Sequence, residues 1–317
     1  MQWKTDGPRS IPQAFPYQGS KRALVGQILS LFPTEQVPLL VEPFAGSAAI
    51  SVAARMYGRA QDIQISDVNA PLMDLWRMII DSPDDLLDSY TKMWHEQQQG
   101  ENSLVEAKAY FMLKRREFND TKDPAILLYL LARCVKAAVR YGKNGDFNQS
   151  ADNRRMGARP ANMQERIHGA SRLMQGAKVT SGSYEDPLVN APREAIVYMD
   201  PPYQGTTDVP DHRYLTGLRR DVFSETLQRA VDNQVSFIVS YDVVREDNKY
   251  GEPLADDLGL LHRNVVVGVS SQATLVGRKE MSIESLYISP ALVQRLGGQD
   301  KIDDLIDVEP KTQDALF

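Results

Sequence analysis

Short apolar runs closed by turn residues alternate with longer segments whose apolar positions recur at helical spacing, the pattern of an α/β architecture. Leu39-Leu40-Val41, Ile63-Gln64-Ile65, Val179-Thr180-Ser181, the run from Ala195 to Met199 and that from Val235 to Tyr241 read as strands. Several are apolar throughout, as strands of a parallel sheet buried on both faces must be. Helices are predicted from Ala23 to Phe32, where Leu24, Ile28 and Leu31 make the apolar face, and from Ala49 to Met56, Ala70 to Ile80 and Val222 to Val231. Asn264 to Val269 and Ile283 to Ser289 close the sheet pattern as a hairpin. Between Ser82 and about Gly176 the chain turns helical, and the stretch from Pro124 to Val139 is apolar on one side before it breaks at Arg140.

The chemistry sits where strands end. The run Ala195 to Met199 stops at Asp200-Pro201-Pro202-Tyr203, at the carboxyl edge where open α/β sheets hold ligands. Prolines fix the backbone and donate no hydrogen bond, so their carbonyls stay rigid acceptors. With a carboxylate and an aromatic ring they suit a flat, amine-bearing ring, although a strand followed by a Pro-rich turn accounts for the tetrapeptide alone. After Leu39-Leu40-Val41, the segment Glu42-Pro43-Phe44-Ala45-Gly46-Ser47 turns tightly into a helix whose N–H groups face the space above the sheet. Asp67 ends the second strand, where a carboxylate either accepts ribose hydroxyls or caps the next helix.

Charge changes the picture in one place. The 317-residue chain has a net charge of −6, yet Leu104 to Lys178 holds 15 Lys and Arg against 7 Asp and Glu. A basic middle in an acidic chain is the footprint of a polyanion-binding segment or of a solvated helix face. The break at 140–149 interleaves Arg140, Tyr141, Lys143 and Asn148, with Arg154, Arg155 and Arg159 close behind. Bases for phosphates, with aromatics and amides for base edges, describe a nucleic-acid reading loop, although a Gly-rich surface loop accounts for the same residues. Gln204 to Arg220 reads as a long binding loop, Ser270 to Glu280 as a second basic connection, and the acidic tail from Gly297 as frayed. One cysteine, Cys134, and four scattered histidines leave no disulfide and no metal site. No apolar run approaches a membrane span and no signal segment opens the chain, so a cytoplasmic protein is expected.

Taken in order, these segments resemble the Dam-like branch of the adenosylmethionine-dependent DNA adenine-N6 methyltransferases, over roughly residues 15–290. Phe15-Pro16-Tyr17-Gln18-Gly19-Ser20-Lys21 is similar to that branch's K-W-A-G-G-K element, with tyrosine in place of tryptophan. Glu42 to Ser47 resembles E-P-F-x-G-x-G, with Ala48 where the second glycine is usual, and Ser66-Asp67-Val68-Asn69 resembles A-D-x-N. Arg140 with Gly145-Asp146-Phe147-Asn148 resembles the recognition-region motif, Ser183-Tyr184-Glu185-Asp186 the element near the cofactor's adenine, and Arg278-Lys279-Glu280 the late R-K segment.

The resemblance implies a Rossmann-like methyltransferase sheet with a terminal antiparallel hairpin, made of residues 1–80 and 179–295. A mostly helical target-recognition insert occupies 81–178 and an acidic tail 296–317. It implies S-adenosyl-L-methionine as cofactor, held by Tyr17, Lys21, Glu42, Phe44, Gly46, Asp67, Asp186 and Asp200, and no metal. Asp200, Pro201, Pro202 and Tyr203 become the catalytic group: Asp200 and the Pro201 carbonyl accept the amine hydrogens of a flipped-out adenine, and Tyr203 stacks on its ring. Arg140, Tyr141, Lys143, Asn148, Arg154, Arg155 and Arg278 become the contacts to double-stranded DNA. A restriction endonuclease is a possible partner, and a monomer or weak dimer is expected. The rival readings are a non-catalytic DNA-binding protein with a methyltransferase fold, and an RNA or protein amine methyltransferase; the acid at 200 and the basic insert favour DNA adenine.

Overall fold

A computed structural model describes residues 10–99, 103–137, 139–142, 144–202, 218–245, 248–250, 254, 256–269 and 281–308. The strands are β1 (Val37–Glu42), β2 (Ala60–Asp67), β3 (Lys178–Ser181), β4 (Ile196–Met199), β5 (Phe237–Arg245), β6 (Asn248–Tyr250), β7 (Leu261–Val269) and β8 (Met281–Ile288). They form one sheet in the order β3-β2-β1-β4-β5-β8-β7, with β6 paired to β5. The first five in that order are parallel, and β8 runs antiparallel between β5 and β7. The expected terminal hairpin is therefore present, inserted so that its second strand lies inside the sheet.

Alternation along the central strands splits the core in two. Leu40, Ile196, Tyr198 and Ile238 point into one cluster, and Val41, Val197, Met199, Phe237 and Val239 into the other. Helices α8 (Glu185–Val189) and α9 (Arg220–Asp232) cover the second face, through Leu188, Phe223 and Leu227. The first face carries α1 (Val25–Ser30), α2 (Ala49–Met56) and α3 (Ala70–Asp81). On α3 pack α6 (Pro124–Arg133) and α7 (Pro160–Met174), and on those α4 (Pro83–Glu96) and α5 (Ser103–Thr121). Trp76 of α3 is wholly buried, and one continuous cluster runs through it from Leu40 to Leu128. The helical middle is thereby joined to the sheet through α3.

Two expectations fail here. The apolar run from Pro124 does not stay helical to Val139: α6 ends at Arg133, and Cys134 turns extended to bridge Ala151. The cause is the buried Arg133 side chain, whose guanidinium donates to the carbonyls of Asp152 and Arg155 and draws the returning loop against the helix end. The segment after Gly297 is also not frayed as far as Val308. Helices α10 (Pro290–Leu296) and α11 (Gln299–Asp303) bury Leu292 and Ile302, Val308 bridges Val265, and Asp307 exchanges hydrogen bonds with Gln27. A few apolar residues in an acidic stretch suffice because they sit at helical spacing on the sheet's edge.

Candidate active site

Strand order reverses between β1 and β4, and there the turn after β1 and the segment after β4 border the same crevice. Asp200 follows β4, half-buried, with Pro201 buried beside it. Lys21, at the start of a 3-10 turn (Lys21–Leu24), places Nζ 2.7 Å from Asp200 Oδ1 and 3.5 Å from Glu284 Oε1 on β8. The N-terminal element thus supplies a cation to the carboxylate that heads the Asp-Pro-Pro segment. Directly below, the buried Tyr198 hydroxyl shares a 2.9 Å hydrogen bond with Ser240. Burial pushes that phenol well above its ordinary range, and the charges of Asp200 and Glu284 push the same way.

The turn after β1 is shaped by backbone demands. Gly46 has φ +47, which strains any side chain, and a Cβ there would lie 2.9 Å from the Tyr17 ring, which would have to shift. Its N–H donates to Asp67 Oδ2 (3.1 Å) and its carbonyl accepts from the Trp76 indole (3.0 Å). Ala48, at φ 46 and ψ 40, occupies left-handed space in front of α2, where the related motif has glycine. That conformation costs a non-glycine residue about 1–2 kcal/mol. Glu42, expected at the cofactor, reaches the first turn of α2, where Oε2 accepts from the Ser51 N–H (3.0 Å) and hydroxyl (2.5 Å). Burial pushes this carboxyl up to about 8 despite those bonds.

Of the two readings for Asp67, the helix cap belongs to Asn69, whose Oδ1 accepts from the Leu72 N–H at 3.4 Å. Asp67 ties the two turns together, through Gly46 on one side and the Asn69 N–H (2.9 Å) on the other. Burial raises its carboxyl, and those two N–H donors act against the rise. Phe44 stacks on Tyr184 with ring centres 4.9 Å apart, and both meet the edge of Phe223. Asp186 is exposed on α8, where it accepts from Asn190 at 2.7 Å. Tyr203, Lys143 and Arg278 lie outside the described residues, as do the loop 204–217 and the connection 270–280.

The basic loop after α6 is held from within. Buried Arg133 reaches the carbonyls of 152 and 155, Gln97 donates to Met156 O (2.9 Å) and Tyr90 to Ala158 O (2.6 Å). Asn119 grips the Phe147 backbone at both N–H and carbonyl, and Arg115 donates to the carbonyls of Asn148 and Gln149. Arg140, Asn148, Arg154, Arg155 and Arg159 remain exposed on the outside. Arg155 is partly spent on Asp152 at 2.8 Å. Tyr141, expected among the DNA contacts, lies inside the loop instead of on its surface. Its ring is 4% exposed, packs edge-on against buried Phe147, and its hydroxyl donates to Asn69 at 3.1 Å. The loop's aromatics anchor it, and its bases face out.

Sequence reasoning missed Glu284, Asn119 and the coupling role of Asn69. Glu284 carried a signal, as the one charged residue of its strand; Asn119, in the last turn of α5, carried none. Among the described residues no group of His, Cys, Asp or Glu could hold a metal ion, and no helix is long and apolar enough to cross a membrane.

A sheet of this order, with a glycine turn after β1, an acid ending β2 and Asp-Pro-Pro after β4, is that of an α/β methyltransferase. Comparison with known proteins fixes the family. The D12 class N6 adenine-specific DNA methyltransferase model matches residues 17–269, and the chain belongs to that family. It is 22% identical to a DNA adenine methylase of Salmonella typhimurium over 92% of both chains. It is 27% identical to the Retron Ec67 DNA adenine methylase of Escherichia coli, over 66% of this chain and 67% of that one. With the Type II methyltransferase M.MjaIII of Methanocaldococcus jannaschii it shares 24% identity, over 59% of this chain and 68% of the relative.

Proposed function

We propose that this adenine-specific DNA methyltransferase moves the methyl group of S-adenosyl-L-methionine to N6 of an adenine flipped out of double-stranded DNA. The observation that carries the reading is the Lys21–Asp200 pair at the switch point, flanked by the Gly46 turn and the Asp67 tie. The cofactor's chemistry fits these residues: an acid ends β2, a left-handed glycine turn under the Tyr17 ring follows β1, and Phe44 stacks on Tyr184, two residues before exposed Asp186. Tyr17, Phe44, Gly46, Asp67 and Asp186 would hold it, with Glu42 shaping the turn from below. When bound, it supplies an electrophilic methyl group on a sulfonium that needs no further activation.

The chain's own residues then act on the amine. An adenine N6 lone pair is delocalised into the ring and is a weak nucleophile. Asp200 and the Pro201 carbonyl accept its two hydrogens, which concentrates electron density on nitrogen. The proton lost on methylation passes to Asp200, and the Lys21 ammonium 2.7 Å away fixes the position of that carboxylate. The insert at 81–178, with Arg140, Asn148, Arg154 and Arg155 outward, is the recognition unit, and flipping is required because a stacked base cannot reach the strand end. Bacterial and archaeal relatives support action on DNA in the cytoplasm. The test is transfer of tritiated methyl groups to plasmid DNA by the purified protein, with modified adenines then mapped by single-molecule sequencing. No label in adenine overturns the reading.

A further inference from the structure

We propose that Tyr141 is a positioning residue that ties the DNA-reading loop to the carboxylate at the tip of β2, so that DNA and cofactor bind with mutual enhancement. The inference rests on the reading of both sites given above. Three hydrogen bonds connect loop to turn. The Tyr141 hydroxyl donates to Asn69 Oδ1 (3.1 Å), the Asn69 N–H donates to Asp67 Oδ1 (2.9 Å), and Asp67 Oδ2 accepts from the Gly46 N–H (3.1 Å). The run begins in the basic insert and ends in the turn proposed to hold the cofactor.

On the loop side, Tyr141 moves with the residues that face outward. Its backbone bridges Phe147, whose ring it meets edge-on, and the neighbouring Arg140 carbonyl accepts from the Asn148 N–H at 3.0 Å. Asn119 holds the Phe147 backbone from the opposite side, so a load on Arg140 or Asn148 is passed inward. A second tether lies just upstream. Lys136 and Ala137 are both left-handed, at φ 58 and φ 50, and the Ala137 carbonyl accepts from Gln18 N at 3.0 Å. Gln18 sits between Tyr17, packed on Gly46, and Lys21, paired with Asp200. The loop therefore meets the cofactor turn through Asn69 and the catalytic acid's segment through Gln18.

Buried, hydrogen-bonded and away from solvent, the Tyr141 hydroxyl cannot touch a phosphate, so its conserved-volume replacement by phenylalanine isolates the tie. Coupling between two ligands is reciprocal, and one titration with and without the other ligand measures it. The full-length protein is titrated with S-adenosyl-L-homocysteine by calorimetry, with and without a duplex carrying the sequence it methylates in plasmid DNA. In the wild type the duplex tightens binding. In Tyr141→Phe that enhancement falls roughly fivefold, the worth of one neutral hydrogen bond, while affinity without DNA changes by less than about twofold. Asn69→Ser keeps a cap for α3 but is too short for Tyr141, so it reproduces the loss, and the double variant loses no more than either alone. An unchanged enhancement in Tyr141→Phe, additive losses, or no enhancement in the wild type each overturns the proposal. Failure of the wild type to bind S-adenosyl-L-homocysteine at all overturns the proposed function itself, and the coupling with it.

Discussion

Glu42 gives a prediction whose size and sign both follow from burial. The residue ends β1 and is 4% exposed, and its carboxyl is pushed from an ordinary 4.5 up to about 8, chiefly by loss of water. Between those values the folded protein holds a proton that the unfolded chain has released, so stability falls as pH rises through the window. Below pH 4.5 the penalty is absent; above pH 8 it is complete. Each tenfold step is about 1.4 kcal/mol, which makes the full penalty about 4–5 kcal/mol and the share at pH 7 about 3 kcal/mol. Glu42→Gln holds the neutral form at every pH, and its amide oxygen can still accept from the Ser51 N–H and hydroxyl. Urea unfolding of both proteins at pH 5, 7 and 9 cancels every other titration in the difference. The variant should gain less than about 1 kcal/mol at pH 5 and several kcal/mol at pH 9. A difference that stays flat across that range, or a variant that loses ground at pH 9, would refute the reasoning.

Asp200→Ala should reduce methyl transfer by about 10²–10³-fold or more, the scale of losing a main electrostatic contact to the reacting group, while filter binding to DNA persists; near-normal transfer would remove Asp200 from the chemistry. Arg154→Ala should lower the slope of log affinity against log salt by about one. Arg155→Ala should lower it less, because Asp152 already engages that guanidinium at 2.8 Å; equal slopes in the two variants would show that the internal pair opens on DNA. Ile302→Ala, in the segment after Gly297, should destabilise the protein by about 2–4 kcal/mol, as expected for a fully buried isoleucine; an unchanged melting temperature would return that segment to the frayed tail that its acidity suggests.

The strands were readable because a parallel sheet imposes a local rule: both faces are buried, so Ile196-Val197-Tyr198-Met199 must be apolar throughout, and the turn residues after it mark its end. The strand-end acids were readable for the same reason, since little but function or capping places Asp67 and Asp200 there. What sequence did not disclose are contacts between distant segments. Tyr141 has the composition of a nucleic-acid contact and the burial of a core residue, and only the Asn69 acceptor 72 positions away decides between them. Arg133 ends α6 by reaching carbonyls 19 and 22 residues downstream, information absent from the run that predicted a longer helix. Ala48 could be flagged by a missing glycine, but its left-handed backbone shows that the turn keeps its glycine-type geometry with an alanine in it.

The Lys21–Asp200 pair explains why the N-terminal element belongs to the site. Asp200 stands among buried acids: Glu42 lies close enough for Asp200 to raise its carboxyl, and Tyr198 feels both Asp200 and Glu284. At 2.7 Å and an effective dielectric near 20, the ammonium and carboxylate attract by about 6 kcal/mol before desolvation is subtracted. The same ammonium lies 3.5 Å from Glu284 Oε1, so one cation faces both carboxylates. Residue 21 therefore joins carboxylates from the segment after β4 and from β8, and it does so from the stretch whose Gln18 N–H donates to the Ala137 carbonyl.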